Sequence, residues 1–123
     1  MPAQHKQRRI LIVDDEPFVR VALESYLTTA GYAVEAVGSG AAALTRLAAG
    51  VFDLVVTDNK MPGMTGAELT QTIKARWPKL PVVLFTGSPP NEPVPGLGLV
   101  LHKLDDLRLL LPTIAMFLGR PPG

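Results

Sequence analysis

Residues 54–66 read LVVTDNKMPGMTG. Four residues of buried-strand character, Leu54 to Thr57, run straight into Asp58, after which Pro62, Gly63 and Gly66 turn the chain sharply. An acid at the point where an apolar strand stops calls for a partner or a task. The rest of the chain repeats the pattern: ILIV (10–13), PVVLF (81–85) and LGLVLH (97–102) are also short runs rich in Val, Leu and Ile. A weaker run, AVEAV (33–37), is interrupted by Glu35, as an edge strand would be.

Helix-like segments fill the gaps. From Pro17 the residues Val19, Ala22, Leu23, Tyr26, Leu27 and Ala30 form an apolar stripe, with Pro in the first turn and Gly31 as the stop. Ser39 is the expected N-cap of a second helix ending at Gly50, and a third is expected from about Gly66 to Trp77, before Pro78. A last helix is expected after Asp105 or Asp106, either of which could cap it, and it continues to Gly119 with a kink or short first turn at Pro112. Continuous apolar strands alternating with helices specify an α/β fold: a doubly wound, flavodoxin-like parallel sheet of five strands, covered on both faces and joined by right-handed crossovers.

The chain of 123 residues suits one domain, and 12 basic against 11 acidic residues create no field that would select nucleic acid or an anionic membrane. There is no Cys, hence no disulfide framework or thiolate zinc site. The apolar run after the basic N-terminus, Ile10 to Val13, is too short for a signal peptide, and the region 107–118 contains Arg108 and Pro112 and falls short of the roughly 20 residues that span a bilayer. These features lead us to expect a soluble, cytoplasmic protein with a flexible basic tail over residues 1–8 (His5, Lys6 and Arg8, the cluster running on to Arg9), a domain over 9–119 and a short tail over 120–123.

Each strong strand is followed by a polar residue able to do chemistry: Asp14 and Asp15, then Asp58, Thr86 and Lys103. In an open parallel sheet the carboxyl ends of the strands share one rim, and with the strand order 2-1-3-4-5 the first and third strands are neighbours. Asp14, Asp15 and Asp58 then meet in one pocket. Three carboxylates crowded at the end of a low-dielectric sheet would take up protons unless a cation relieves them, and an all-oxygen donor set favours Mg2+. An aspartate beside such an ion can act as nucleophile on phosphorus, with the Lys103 ammonium and the Thr86 hydroxyl reaching phosphoryl oxygens.

The set LIVDDE, VVTDNKMPGMTG, VLFTG and HK, in this order and spacing over nearly the whole chain, resembles the receiver domain of two-component response regulators. That resemblance implies that Asp58 is the phosphoacceptor, that Asp15 binds Mg2+ directly with Asp14 assisting, and that the backbone carbonyl of Lys60 completes the metal shell. It implies that Thr86 and Lys103 sense the phosphoryl group, which a phosphohistidine on a sensor histidine kinase or phosphotransfer protein donates. The output is then a change in contacts with a downstream protein, not turnover of a substrate.

Three departures stand against the family pattern. Leu104 takes the place of the proline that usually follows the lysine, so a trans peptide is expected there, a cis bond without Pro costing about 2.5–4 kcal/mol. Val100 occupies the position of the usual switch aromatic. The segment GSPPNEPVPG (87–96) carries Pro89, Pro90, Pro93 and Pro95, so the helix between the fourth and fifth strands is expected to be shortened or missing.

Two other functional classes compete. A phosphohydrolase with an aspartyl nucleophile usually needs a second acid two residues on, and that position is Lys60. The full acidic set argues against a receiver-like interaction domain that is never phosphorylated, whereas Leu104 and the proline segment argue for it. Finally, GSGAAA (38–43) fits a dinucleotide fingerprint, but it follows the second strand; an N-cap with small residues for close helix packing is the simpler account.

Overall fold

The computed structural model describes residues 7–103 and 106–119. Five strands, β1 (Arg9–Val13), β2 (Ala33–Val37), β3 (Leu54–Thr57), β4 (Val82–Thr86) and β5 (Leu99–His102), form one parallel sheet in the order β2-β1-β3-β4-β5. The helices are α1 (Pro17–Thr29), α2 (Gly40–Ala49), α3 (Gly66–Arg76) and α4 (Leu107–Leu118).

Alternation along the strands divides the core. Ile10, Ile12, Leu54, Val56, Val83 and Phe85 pack with Leu23 and Leu27 of α1 and Leu110 and Ile114 of α4. The intervening Leu11, Val13, Val55 and Val82 face the other way, against Ala43 and Leu47 of α2 and Leu69 and Ile73 of α3. Each of the Val, Leu, Ile and Phe side chains among them contributes about 1.5–3 kcal/mol through burial, enough for the central strands to dictate the register.

Local signals set the helix ends. Pro17 opens α1, and Gly31 leaves it at φ 108°. Ser39 caps α2, its hydroxyl accepting the Ala42 amide at 3.1 Å. Thr65 and Glu68 form a reciprocal capping box at α3, which ends at Arg76. Asp106 occupies the N-cap position of α4, yet its carboxylate makes no cap bond and instead accepts the His102 amide at 2.9 Å, tying the helix to β5. The first turn of α4 is tight, with the Leu109 amide bonding the Asp106 carbonyl at 2.8 Å, and Pro112 lies within the helix.

Two expectations need correction. The fifth strand starts at Leu99, not Leu97: the Gly98 amide already bonds the Val82 carbonyl at 2.8 Å, but residues 97–98 are not extended into the ladder. Nor is the sheet covered on both faces throughout, since Leu99 and Val100 are each 38% exposed. Residues 87–98, which join β4 to β5, contain turns and bends but no helix that could lie over this edge. The alternative cap Asp105, the Lys103–Leu104 peptide, the tail 120–123 and all but Gln7 and Arg8 of the N-terminal tail lie outside the described residues.

Candidate functional site

The switch in strand order places the carboxyl ends of β1 and β3 side by side, and the acids that follow them converge. The Asp14 amide bonds the Val37 carbonyl and the Asp58 amide bonds the Val13 carbonyl, so both aspartates are held as continuations of the ladder. Their side chains are buried, Asp14 to 1% and Asp58 to 6% exposure, while Asp15 and Glu16 reach solvent. Each of Asp14, Asp15, Glu16 and Asp58 offers a carboxylate oxygen, and the four oxygens lie within 4.8 Å of one another.

Lys103 supplies the positive charge. Its Nζ donates to Asp14 Oδ2 at 2.7 Å and to Asp58 Oδ2 at 3.2 Å, with Glu16 Oε1 at 4.0 Å. Burial draws the ammonium's pKa down, but the hydrogen bond and charge of Asp14, followed by those of Asp58, outweigh it and hold Lys103 above its usual 10.5. The remaining carboxylate oxygens are fixed by backbone: Asp14 Oδ1 accepts the Glu16 amide at 2.9 Å, and Asp58 Oδ1 accepts the Asn59 amide at 2.7 Å.

Gly66 makes the turn after Asp58 possible. A Cβ there would fall 2.2 Å from the Asp58 carbonyl oxygen and 2.8 Å from Asn59 Cα, so only glycine lets α3 start against the end of β3. Thr86 is fully buried at the end of β4, its hydroxyl oxygen accepting the Ser88 amide at 3.0 Å and leaving the O–H to donate. Lys60 sits in the loop two residues beyond Asp58 with its side chain in solvent.

Two contributors went unread in the sequence. Glu16 completes the acidic quartet; as the third acid of DDE its signal was present but fitted the start of α1 equally well. Asn59 is a staple: its Oδ1 accepts the Ala67 amide at 3.0 Å and its Nδ2 donates to the Ser88 carbonyl at 2.9 Å, joining the loop beside Asp58 to α3 and to the segment after β4. No local pattern marks such a bridge.

A doubly wound sheet with an acidic pocket and a lysine at its switch point defines the class of phosphorylation-controlled receiver modules. The chain belongs to the response regulator receiver domain family, whose model matches residues 10–94. It is 44% identical over 121 residues to the response regulator protein FleR of Pseudomonas aeruginosa, a match covering 94% of this chain and 26% of FleR. It is 34% identical over 116 residues to the sensor histidine kinase RcsC of Salmonella typhimurium, covering 90% of this chain and 12% of RcsC. The chain thus spans about a quarter or less of these curated relatives.

Among solved structures, the response regulator TrrA of Thermotoga maritima in complex with Mg2+ and BeF superposes with a TM-score of 0.85 at 27% identity, over 90% of this chain and 99% of TrrA. TrrA bound to the histidine kinase ThkA gives 0.83 at 28% identity, over 91% of this chain and 99% of that one. Among the described residues no helix is long and apolar enough to cross a membrane.

Proposed function

We propose that this domain accepts a phosphoryl group on Asp58 from a phosphohistidine of a sensor kinase or phosphotransfer protein, and signals by a changed set of protein contacts without turnover of a substrate. The observation that carries the reading is the convergence of Asp14, Asp15, Glu16 and Asp58 around a lysine that already bridges two of them. A carboxylate oxygen of Asp58 attacks phosphorus as the P–N bond to the donor imidazole breaks, the departing electron pair staying on nitrogen; the product is an acyl phosphate. Lys103 is within reach to follow the new phosphoryl oxygens, and the Thr86 O–H is the matching donor on the neighbouring strand.

The donor set suits Mg2+: hard carboxylate oxygens at one mouth, two of them open to solvent for a hydrated ion. Asp14, Asp15 and Asp58, with the Lys60 carbonyl, would hold it, and Glu16 is placed to bond its waters. Bound there, the ion supplies charge neutralisation for the transferring group. The presence of Mg2+ in the TrrA complex supports this assignment.

The output route differs from a helix-borne one. Near the start of the segment 87–98, Ser88 is bonded to both Thr86 and Asn59, so a shift of either side chain on phosphorylation is passed to this segment first. An intact-mass measurement after incubation with Mg2+ and a small acyl phosphate tests the acceptor: one phosphoryl adduct is expected, lost in Asp58→Asn. Persistence of that adduct in Asp58→Asn would overturn the assignment. Backbone chemical shifts with and without an acyl-phosphate mimic test the route, and silence over residues 87–97 would defeat it.

A further inference from the structure

We propose that the amino-terminal rim of the sheet, opposite the acidic pocket, is a docking trough for an acidic, partly apolar segment of a partner protein. Charge is unevenly distributed over this nearly neutral chain. Asp14, Asp15, Glu16 and Asp58 gather beyond the carboxyl ends of the strands, whereas Arg8, Lys74, Arg76 and Lys79 gather at the other end. Two adjoining clefts lie among these cations. One, of about 450 Å³, is lined by Arg8, Lys74, Lys79 and Phe117; the other, of about 470 Å³, by Phe52, Arg76, Trp77 and Leu80. Asp53, Lys79 and Pro81 belong to both, so the clefts form one trough.

These cations are not neutralised, and two of them are held in place. Among the described residues Arg8, Arg76 and Lys79 have no carboxylate partner, and Lys74 donates to the Leu80 carbonyl at 2.9 Å. Asp53, the one acid lining the trough, accepts the Arg9 amide at 2.8 Å. The Arg76 guanidinium lies 4.5 Å over the Trp77 ring, which keeps its plane and charge in place. Preorganised arginine beside aromatic and aliphatic walls recognises carboxylates spaced by apolar side chains. A nucleic acid fits less well, because the Phe52, Leu80, Pro81 and Phe117 walls between the cations suit apolar side chains better than a phosphodiester backbone.

Trp77 is the sole tryptophan, so its emission reports occupancy directly. The test is titration of the whole chain with a fluorescein-labelled peptide of four Glu-Asp-Leu repeats, beside an oligothymidine of equal length. Saturable binding that alters Trp77 emission, weakens with salt, and falls by about tenfold or more in Arg76→Glu/Lys79→Glu while Arg108→Glu leaves it intact, is the expected result. Amide shifts of the wild-type chain should map to residues 74–81, which makes the outcome independent of how the variant folds. No saturation, equal binding by the charge-reversed variant, tighter binding of oligothymidine at the same residues, or self-association of the chain through this rim would each overturn the proposal. Asp58→Ala should bind the peptide as the wild type does, so failure of the acceptor reading would leave this result unchanged.

Discussion

Replacing Lys103 with methionine should move stability and metal affinity in opposite directions. The ammonium lies 2.7 Å from Asp14 Oδ2 and 3.2 Å from Asp58 Oδ2, two carboxylates that are almost wholly buried. At an effective dielectric of about 20 each contact is worth roughly 5–6 kcal/mol before desolvation is charged against it. Removing one partner of a buried pair costs about 3–5 kcal/mol, because an uncompensated charge is left behind. Glu16 and solvent lie close to Lys103, so we expect the lower end, about 3 kcal/mol, in urea unfolding at pH 7 with chelator present. On the proposed Mg2+ assignment, the same deletion removes a cation that competes with the ion for the same oxygens. Lys103→Met should therefore bind Mg2+ about tenfold more tightly, near 1.4 kcal/mol, and recover most of its lost stability at saturating Mg2+ through linkage. A variant as stable as the wild type in chelator, or one whose Mg2+ affinity falls, would refute the picture of a lysine occupying the metal's oxygens.

Gly66→Ala should cost at least the upper end of the roughly 1–3 kcal/mol typical of overpacking, since the new Cβ meets backbone at 2.2 and 2.8 Å; thermal unfolding should drop by about 10 °C. Asn59→Ala removes the bonds to Ser88 and Ala67 at about 1 kcal/mol or less each, and should speed amide exchange in residues 87–98 while leaving α1 unaffected. Glu35 is held below its usual 4.5 first by the Arg46 hydrogen bond, with the charges of Arg46 and Arg9 adding to it against desolvation. Its folded pKa being depressed, its contribution is present above pH 4.5 and lost as pH falls through the folded value. Glu35→Gln should thus cost about 0.2–1 kcal/mol at pH 7, a difference that closes in acid; a pH-independent difference in unfolding free energy would contradict the ion-pair origin.

The central sheet was legible because its strands are buried on both faces. Nothing but a continuous aliphatic run survives at Ile10–Val13 or Leu54–Val56, and polar residues or acids mark where each ends. The acidic pocket followed from topology, once one order of strands brought Asp14 and Asp58 to the same switch point. What escaped were contacts made between segments by short polar side chains. Asp106 looks like a helix cap in sequence, and whether its carboxylate bonds the helix or the His102 amide depends on how α4 packs against β5. The Thr65–Glu68 capping box, by contrast, is a local pattern that could have been read directly.

The connection from β4 to β5 shows how a compositional signal becomes a structural one. Prolines at 89, 90, 93 and 95 remove backbone donors at close intervals, so the dozen or so residues a parallel crossover needs are spent without building a helix. The cost is visible at the edge of the sheet, where Val100 pairs in register with the fully buried Leu84 yet is itself exposed. Its neighbour Leu101, facing α4, is buried. A helix in this place would be anchored by its own ladder of hydrogen bonds; the segment instead depends on a few tethers, two of them made at Ser88 to Asn59 and Thr86, beside Asp58. A segment tied at Ser88 near Asp58 and by the Gly98 amide at its far end, with no helical ladder between, can shift along its length more readily than a helix packed on the sheet.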